Sequence, residues 1–189
     1  MTLTDLLLPT YRNMLRMLAG LLDKAEAERG EAGAEALLSA RLAADMFPLN
    51  TQLLFAAYQA QEACFRLQGQ AIPDHLQALA AEARSGAVTA GALGAARARI
   101  AEALAFLDTV QPGALDAHAD RPVALELPNG MIFDMNGAAF ARDWALPQFS
   151  FHVLTAYAIL RKEGVAIGKA DYVPHMFAYL RPGTAPQPG

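Results

Sequence analysis

Four segments of the chain repeat apolar residues at steps of three and four, the spacing that draws one stripe along an α-helix. The first carries Leu7, Tyr11, Met14, Leu18, Leu21 and Ala25 and predicts a helix from about Leu6 to Arg29. Pro9 has no N–H to give, so this helix is expected to open near Leu6 to Leu8, with Gly30 and Gly33 at its end. The second stripe is Leu49, Leu53, Ala56, Ala57, Ala60, Cys64 and Leu67, in a helix from Pro48 to about Gln68 with Asp45 as its N-cap. A third runs through Leu93, Ala96, Ile100, Ala103, Leu104 and Leu107 and stops at Pro112-Gly113. The fourth is Phe149, Val153, Ala156, Tyr157 and Leu160, closed by Gly164. Four long helices with one apolar stripe each bury those stripes best against one another, which predicts an all-α four-helix bundle.

The joining segments are long. Gly69 to Gly94 reads as a connector, with a short helix from Pro73-Asp74 through Arg84. Val123, Leu125 and Leu127 alternate with polar or small residues, Pro128-Asn129-Gly130 supplies a turn, and Met131-Ile132-Phe133 follows. That pattern predicts a small β-hairpin between the third and fourth long helices. Ala138 to Leu146 is again helical, and Pro147 must kink it or begin a new helix. The domain is expected to span residues 1–173, with residues 174–189 a flexible C-terminal tail.

At 189 residues and 54% apolar content the chain is sized for one domain with its own core. Fifteen Lys and Arg against nineteen Asp and Glu give a net charge of −4. No basic run offers the counterion-releasing surface that nucleic acid needs, so no nucleic-acid partner is expected. No apolar run reaches the roughly 18 residues of a membrane span, and MTLTDLLLPTYR has no positive n-region or Ala-x-Ala site of a signal peptide. One cysteine, Cys64, allows no intramolecular disulfide, and a reducing cytoplasm is the expected compartment.

Few residues carry a pattern that chemistry would require. No Ser lies in a GxSxG elbow, Cys64 sits on a core stripe, and the glycines from Gly86 to Gly94 lack the GK[ST] ending of a phosphate loop. His75, His118 and His175 fall in segments read as loop, cap or tail, where a solvated imidazole is the ordinary expectation. His152 differs, because it lies within the nearly apolar Phe149 to Tyr157 run, where an imidazole must find a hydrogen-bond partner. It is read either as a bonded core histidine or as a pocket residue. Gln52, Tyr58 and Gln59 are read as the solvated flank of the second helix, with a pocket role as the alternative.

Three segments together resemble a known family: Leu22-Asp23-Lys24-Ala25-Glu26-Ala27, Ala40 to Leu49 around Asp45-Met46-Phe47-Pro48, and Ala145 to Arg161 around Phe149-Ser150-Phe151-His152, with Gly164 to Tyr172 completing the pattern. The chain resembles a bacterial domain-of-unknown-function family of the DinB-like (DinB/YfiT) four-helix superfamily over about residues 1–173. The resemblance implies a fold shared with metal-dependent hydrolases and with thiol-cofactor-dependent transferases or isomerases. Its metal-using members hold a divalent ion with three histidines, one from the second helix and a His-x3-His pair from the last. His152 matches the first of that pair, Ala156 stands at the second, and no histidine lies between Pro48 and Leu67. A lone imidazole is a poor zinc or nickel site, so no metal and no cofactor are expected.

What the scaffold retains is then a cavity, with Arg41, Asp45, Gln52, His152 and Tyr157 as its candidate lining. The expected function is a non-metallo small-ligand-binding or adaptor bundle with a degenerate site, assembled as a homodimer. The alternative is a thiol-dependent transferase or hydrolase-type enzyme. There His152 acts as a base, Tyr157 or Arg41 orients an anionic substrate, and a divalent metal is weakly held.

Overall fold

The first helix, α1 (Leu3–Leu37), starts earlier than its apolar stripe, because Thr2 caps it: the Thr2 hydroxyl accepts from the Asp5 N–H at 3.1 Å. Pro9 therefore lies inside the helix rather than in its opening turn. The carbonyl that Pro9 leaves unbonded belongs to Asp5, which is exposed, so water can serve it. Gly30, at φ 71°, breaks the helical dihedrals, yet the chain resumes the helix to Leu37 instead of ending there. The structure, a computed structural model, describes residues 1–184.

Helix α2 (Leu49–Leu67) begins as expected, but Asp45 does not cap it. Asp45 sits in an exposed turn, and Pro48 occupies the N-cap position without a side-chain bond. The first donors of α2 are satisfied by backbone instead: Leu49 N–H donates to the Ala40 carbonyl at 2.8 Å and Asn50 N–H to the Leu38 carbonyl at 3.0 Å. With those donors satisfied, a capping carboxylate has little left to bond. The connector contains α3 (Asp74–Ser85), and α4 (Ala92–Thr109) follows. Glu35 of α1 caps α4 from outside, its carboxylate accepting from Ala92 and Leu93 N–H at 2.8 Å each.

Strands β1 (Pro122–Glu126) and β2 (Ile132–Asn136) form an antiparallel hairpin in which Leu125 pairs with Phe133. Gly130, at φ 86°, makes the turn. Val123 and Leu125 of β1 face the core. Helix α5 (Gly137–Ala139) runs into a π-helical turn (Phe140–Ala145) and then α6 (Leu146–Lys162). In the turn Leu146 N–H reaches back five residues to the Ala141 carbonyl. Pro147, which has no N–H and whose ring would crowd the carbonyl four residues earlier, is thereby accommodated without ending the helix. Gly164, at φ 87°, closes α6, with Gly164 N–H on the Arg161 carbonyl and Val165 N–H on the Leu160 carbonyl. A short α7 (Lys169–Tyr172) and an exposed 3-10 turn (Pro174–Tyr179) follow. Of the expected flexible tail, residues 185–189 lie outside the described residues.

The result is an all-α bundle of four long helices, α1, α2, α4 and α6, with the hairpin inserted before the last. Its core contains Leu7, Tyr11, Leu18, Leu53, Ala60, Ile100, Phe149 and Val153, and Tyr11 meets Phe149 edge to face at 4.7 Å between ring centroids. A second cluster, Leu54, Tyr58, Leu76, Leu79, Ala80 and Ala83, seats α3 on the outer side of α2. Helix α2 is thus enclosed by α1, α3, α4 and α6, and its supposed solvated flank is buried. Gln52 is 1% exposed and Gln59 8%. None of the helices among the described residues is long and apolar enough to cross a membrane.

Candidate functional site

Beside the enclosed length of α2 lies a cleft of about 490 Å³. Its floor is a row on α2 at steps of three and four: Phe55, Tyr58 or Gln59, Glu62 and Arg66. Gln148 and His152, one turn apart on α6, form one wall. Leu125 to Pro128 of the hairpin and Trp144, carried by the π-helical turn, form another, and Phe47 and Arg84 complete the rim.

His152 is held in one protonation state and one orientation. Gln52 donates its amide N–H to the Phe47 carbonyl at 3.1 Å, which turns its amide oxygen toward His152 Nδ1 at 2.8 Å. That assignment makes Nδ1 the donor and leaves Nε2 with the lone pair. The ring stacks on Phe55 at 4.9 Å and 23°, and Phe151 meets it edge on. Burial pushes the imidazole down to about 4, so it is neutral at pH 7. Among the described residues Nε2 has no hydrogen-bond partner, and it is not one of the sealed polar atoms of the interior. A bare acceptor on the wall of an open cleft follows from these contacts.

The other end of the cleft is charged and balanced. Glu62, 4% exposed, is paired with Arg66 at 2.8 Å, and Arg66 also reaches the Ala124 carbonyl of the hairpin at 3.4 Å. Burial raises the Tyr58 hydroxyl above its ordinary value, the neighbouring Glu62 carboxylate adds to the rise, and Arg66 and Arg84 oppose it. Tyr58 is therefore a phenol, a hydrogen-bond donor, at any physiological pH.

Of the five residues expected to line a cavity, the structure brings together two, His152 on the wall and Gln52 directly behind it. Arg41 instead closes its own loop, donating to the Met46 carbonyl at 2.5 Å, and its carbonyl accepts from Lys162. Asp45 is in the exposed turn already described, and Tyr157 packs edge on against Tyr172 at 5.4 Å, away from the cleft. Five positions along a helix is about 140° of rotation, which separates Tyr157 from the face of His152. Ala156 likewise is fully buried, and the cleft-facing neighbour of His152 on α6 is Gln148, one turn earlier. Sequence reasoning passed over Glu62, Arg66, Trp144 and Gln148. The signal available for the first two was the step of three or four that links them to Phe55 and Gln59, a second helical face beside the apolar one.

The chain belongs to a family whose model matches most of its length. The family described as Domain of unknown function (DUF1993) matches residues 3–173. A solved structure described as a DinB family member protein from Shewanella denitrificans is 32% identical, with a TM-score of 0.72 over 97% of this chain and 96% of that one. No curated protein matches the chain. The superfamily's three-histidine metal does not fit the residues present. His75 lies in α3, His118 in the turns before β1 and His175 in the 3-10 turn, so no second imidazole joins His152. Glu62 is occupied by Arg66, and the cleft's other carboxylate, Glu126, is matched by the guanidinium groups of Arg66 and Arg84, so no excess of negative charge draws a divalent cation. Among the described residues no three His, Cys, Asp or Glu side chains gather as a ligand set.

Proposed function

We propose that the protein is a non-metallo binding module that takes an uncharged small molecule into the cleft between α2, α6 and the hairpin, with His152 Nε2 as the acceptor for a ligand hydroxyl or N–H. The observation that carries this reading is the chain Phe47 carbonyl, Gln52 amide, His152 imidazole, which presents one lone pair to an open cleft with aromatic walls. Preorganising an acceptor in this way removes the ordering penalty that a ligand would otherwise meet. Base catalysis by His152 is the weaker reading. A group with a pKa of about 4 is unprotonated at pH 7 but has little driving force to take a proton, since a general base works best near the operating pH. The cytoplasm and a homodimer complete the proposal. Phe151 and Leu154, half exposed on the outer face of α6, are the apolar surface available to a second copy, and sedimentation as a 20.2 kDa monomer would refute the pairing.

Phenol and anisole test the binding reading, because they share a ring and differ in the hydroxyl donor. Titration followed by amide NMR shifts is expected to place phenol at the cleft about fivefold tighter than anisole, the worth of one neutral hydrogen bond. His152→Phe should erase that preference. Absence of phenol shifts at cleft residues, or an equal phenol preference in His152→Phe, would overturn the reading.

A further inference from the structure

Gln59 has an unusual position for an amide. It is 8% exposed, yet neither its carbonyl oxygen nor its amine forms a hydrogen bond within the described protein, and neither atom is sealed from the cleft it lines. Every other buried glutamine on α2 is engaged: Gln52 with Phe47 and His152, Gln61 with the Ala57 carbonyl. An amide this deeply set that makes no hydrogen bond within the described protein is satisfied only from the cleft it lines, by water or by a ligand that replaces it. The charges beside Gln59 do not satisfy it, since Glu62 and Arg66 are bonded to each other.

A primary amide offers one N–H donor and one carbonyl acceptor side by side. A group that matches both at once is a cis amide, in which N–H and C=O lie on the same edge, and closing the amide into a ring enforces that arrangement. The same fork underlies glutamine recognition of a base edge. The surrounding walls suit a flat ring, with Phe55 and Trp144 lining the cleft at which Gln59 points. Resting on the binding reading given above, we propose that Gln59 selects the ligand class: a planar cyclic amide, a lactam or pyrimidinone-type heterocycle, held edge to edge by two hydrogen bonds to the Gln59 amide.

The test uses the full chain and two probes, 2-pyridone and N-methyl-2-pyridone, which share the planar ring and the carbonyl but not the N–H. Calorimetric titration is expected to show 2-pyridone binding about tenfold tighter than its N-methyl analogue, as loss of a bond that leaves the partner amide unpaired requires. Gln59→Met, of similar length and without polar atoms, should erase the preference. Gln59→Glu, which keeps the acceptor and lacks the amine donor, should weaken 2-pyridone binding and serves as the second variant if the methionine protein does not fold. Equal binding of the two probes, a preference that survives in Gln59→Met, or 2-pyridone binding undiminished in Gln59→Glu would overturn the proposal. If phenol binds in a His152-dependent manner while 2-pyridone does not bind, the lactam assignment falls and the cleft reading stands. If neither binds, both fall.

Discussion

Part of the stability this protein loses on acidification should come from one residue. His152 is 8% exposed and its burial disfavours the imidazolium, lowering the folded pKa from 6.5 to about 4. The native state thus binds the proton less tightly than the unfolded chain does. The stability tied to the neutral imidazole is fully present above pH 6.5 and is lost progressively as pH falls from there toward 4. At pH 4.5 the unfolded imidazole is almost wholly protonated and the folded one mostly neutral, and linkage between those two curves gives a loss of about 2–3 kcal/mol relative to pH 7.5. Urea unfolding of the wild type and of His152→Gln at both pH values isolates this figure, because the carboxylates and the other three histidines are common to both proteins. The wild type should lose about 2–3 kcal/mol more than the variant. Losses that agree within about 0.5 kcal/mol would refute the claim that burial holds His152 neutral, and with it the bare Nε2 acceptor. Phenol affinity should also stay flat from pH 8 to 5, since the folded imidazole does not titrate in that interval.

Two further perturbations test how the scaffold supports the cleft. The Tyr11 hydroxyl is wholly buried in the core and has no hydrogen-bond partner among the described residues, so Tyr11→Phe should leave thermal stability unchanged or raise it by about 1 kcal/mol, whereas a loss above about 1 kcal/mol would show that the hydroxyl is bonded. A Cβ on Gly137 would run into the His118 carbonyl and press Leu67 at 3.2 Å, where Gly137 N–H also donates to the Arg121 carbonyl. Gly137→Ala should therefore cost about 1–3 kcal/mol in denaturant unfolding, and a neutral result would mean that the turn before β1 yields freely.

The bundle itself was legible in the sequence. Stripes such as Leu53, Ala57, Ala60, Cys64 and Leu67 are local statements: a helix places steps of three and four on one face whatever it later packs against. The hairpin turn at Pro128-Asn129-Gly130 and the stop at Gly164 were equally local, set by backbone dihedrals that glycine alone adopts easily. His152 also stood out, because a lone imidazole in an apolar helix has to be bonded to something. What it is bonded to, and which side of α2 is open, could not be read in the same way. Asp45 failed as a cap because the carbonyls of Leu38 and Ala40, ten or so residues away in sequence, reach the α2 donors first. Gln52 and Gln59 looked solvated because periodicity counts polar residues as outward, and only the docking of α3 and α6 on both flanks of α2 encloses them. The cleft is assembled from α2, α6, the π-helical turn and the hairpin, segments separated by up to about 100 residues. Helical period determined which residues share a face of one helix; the packing of several helices decided which of those faces meet and which line an open cleft.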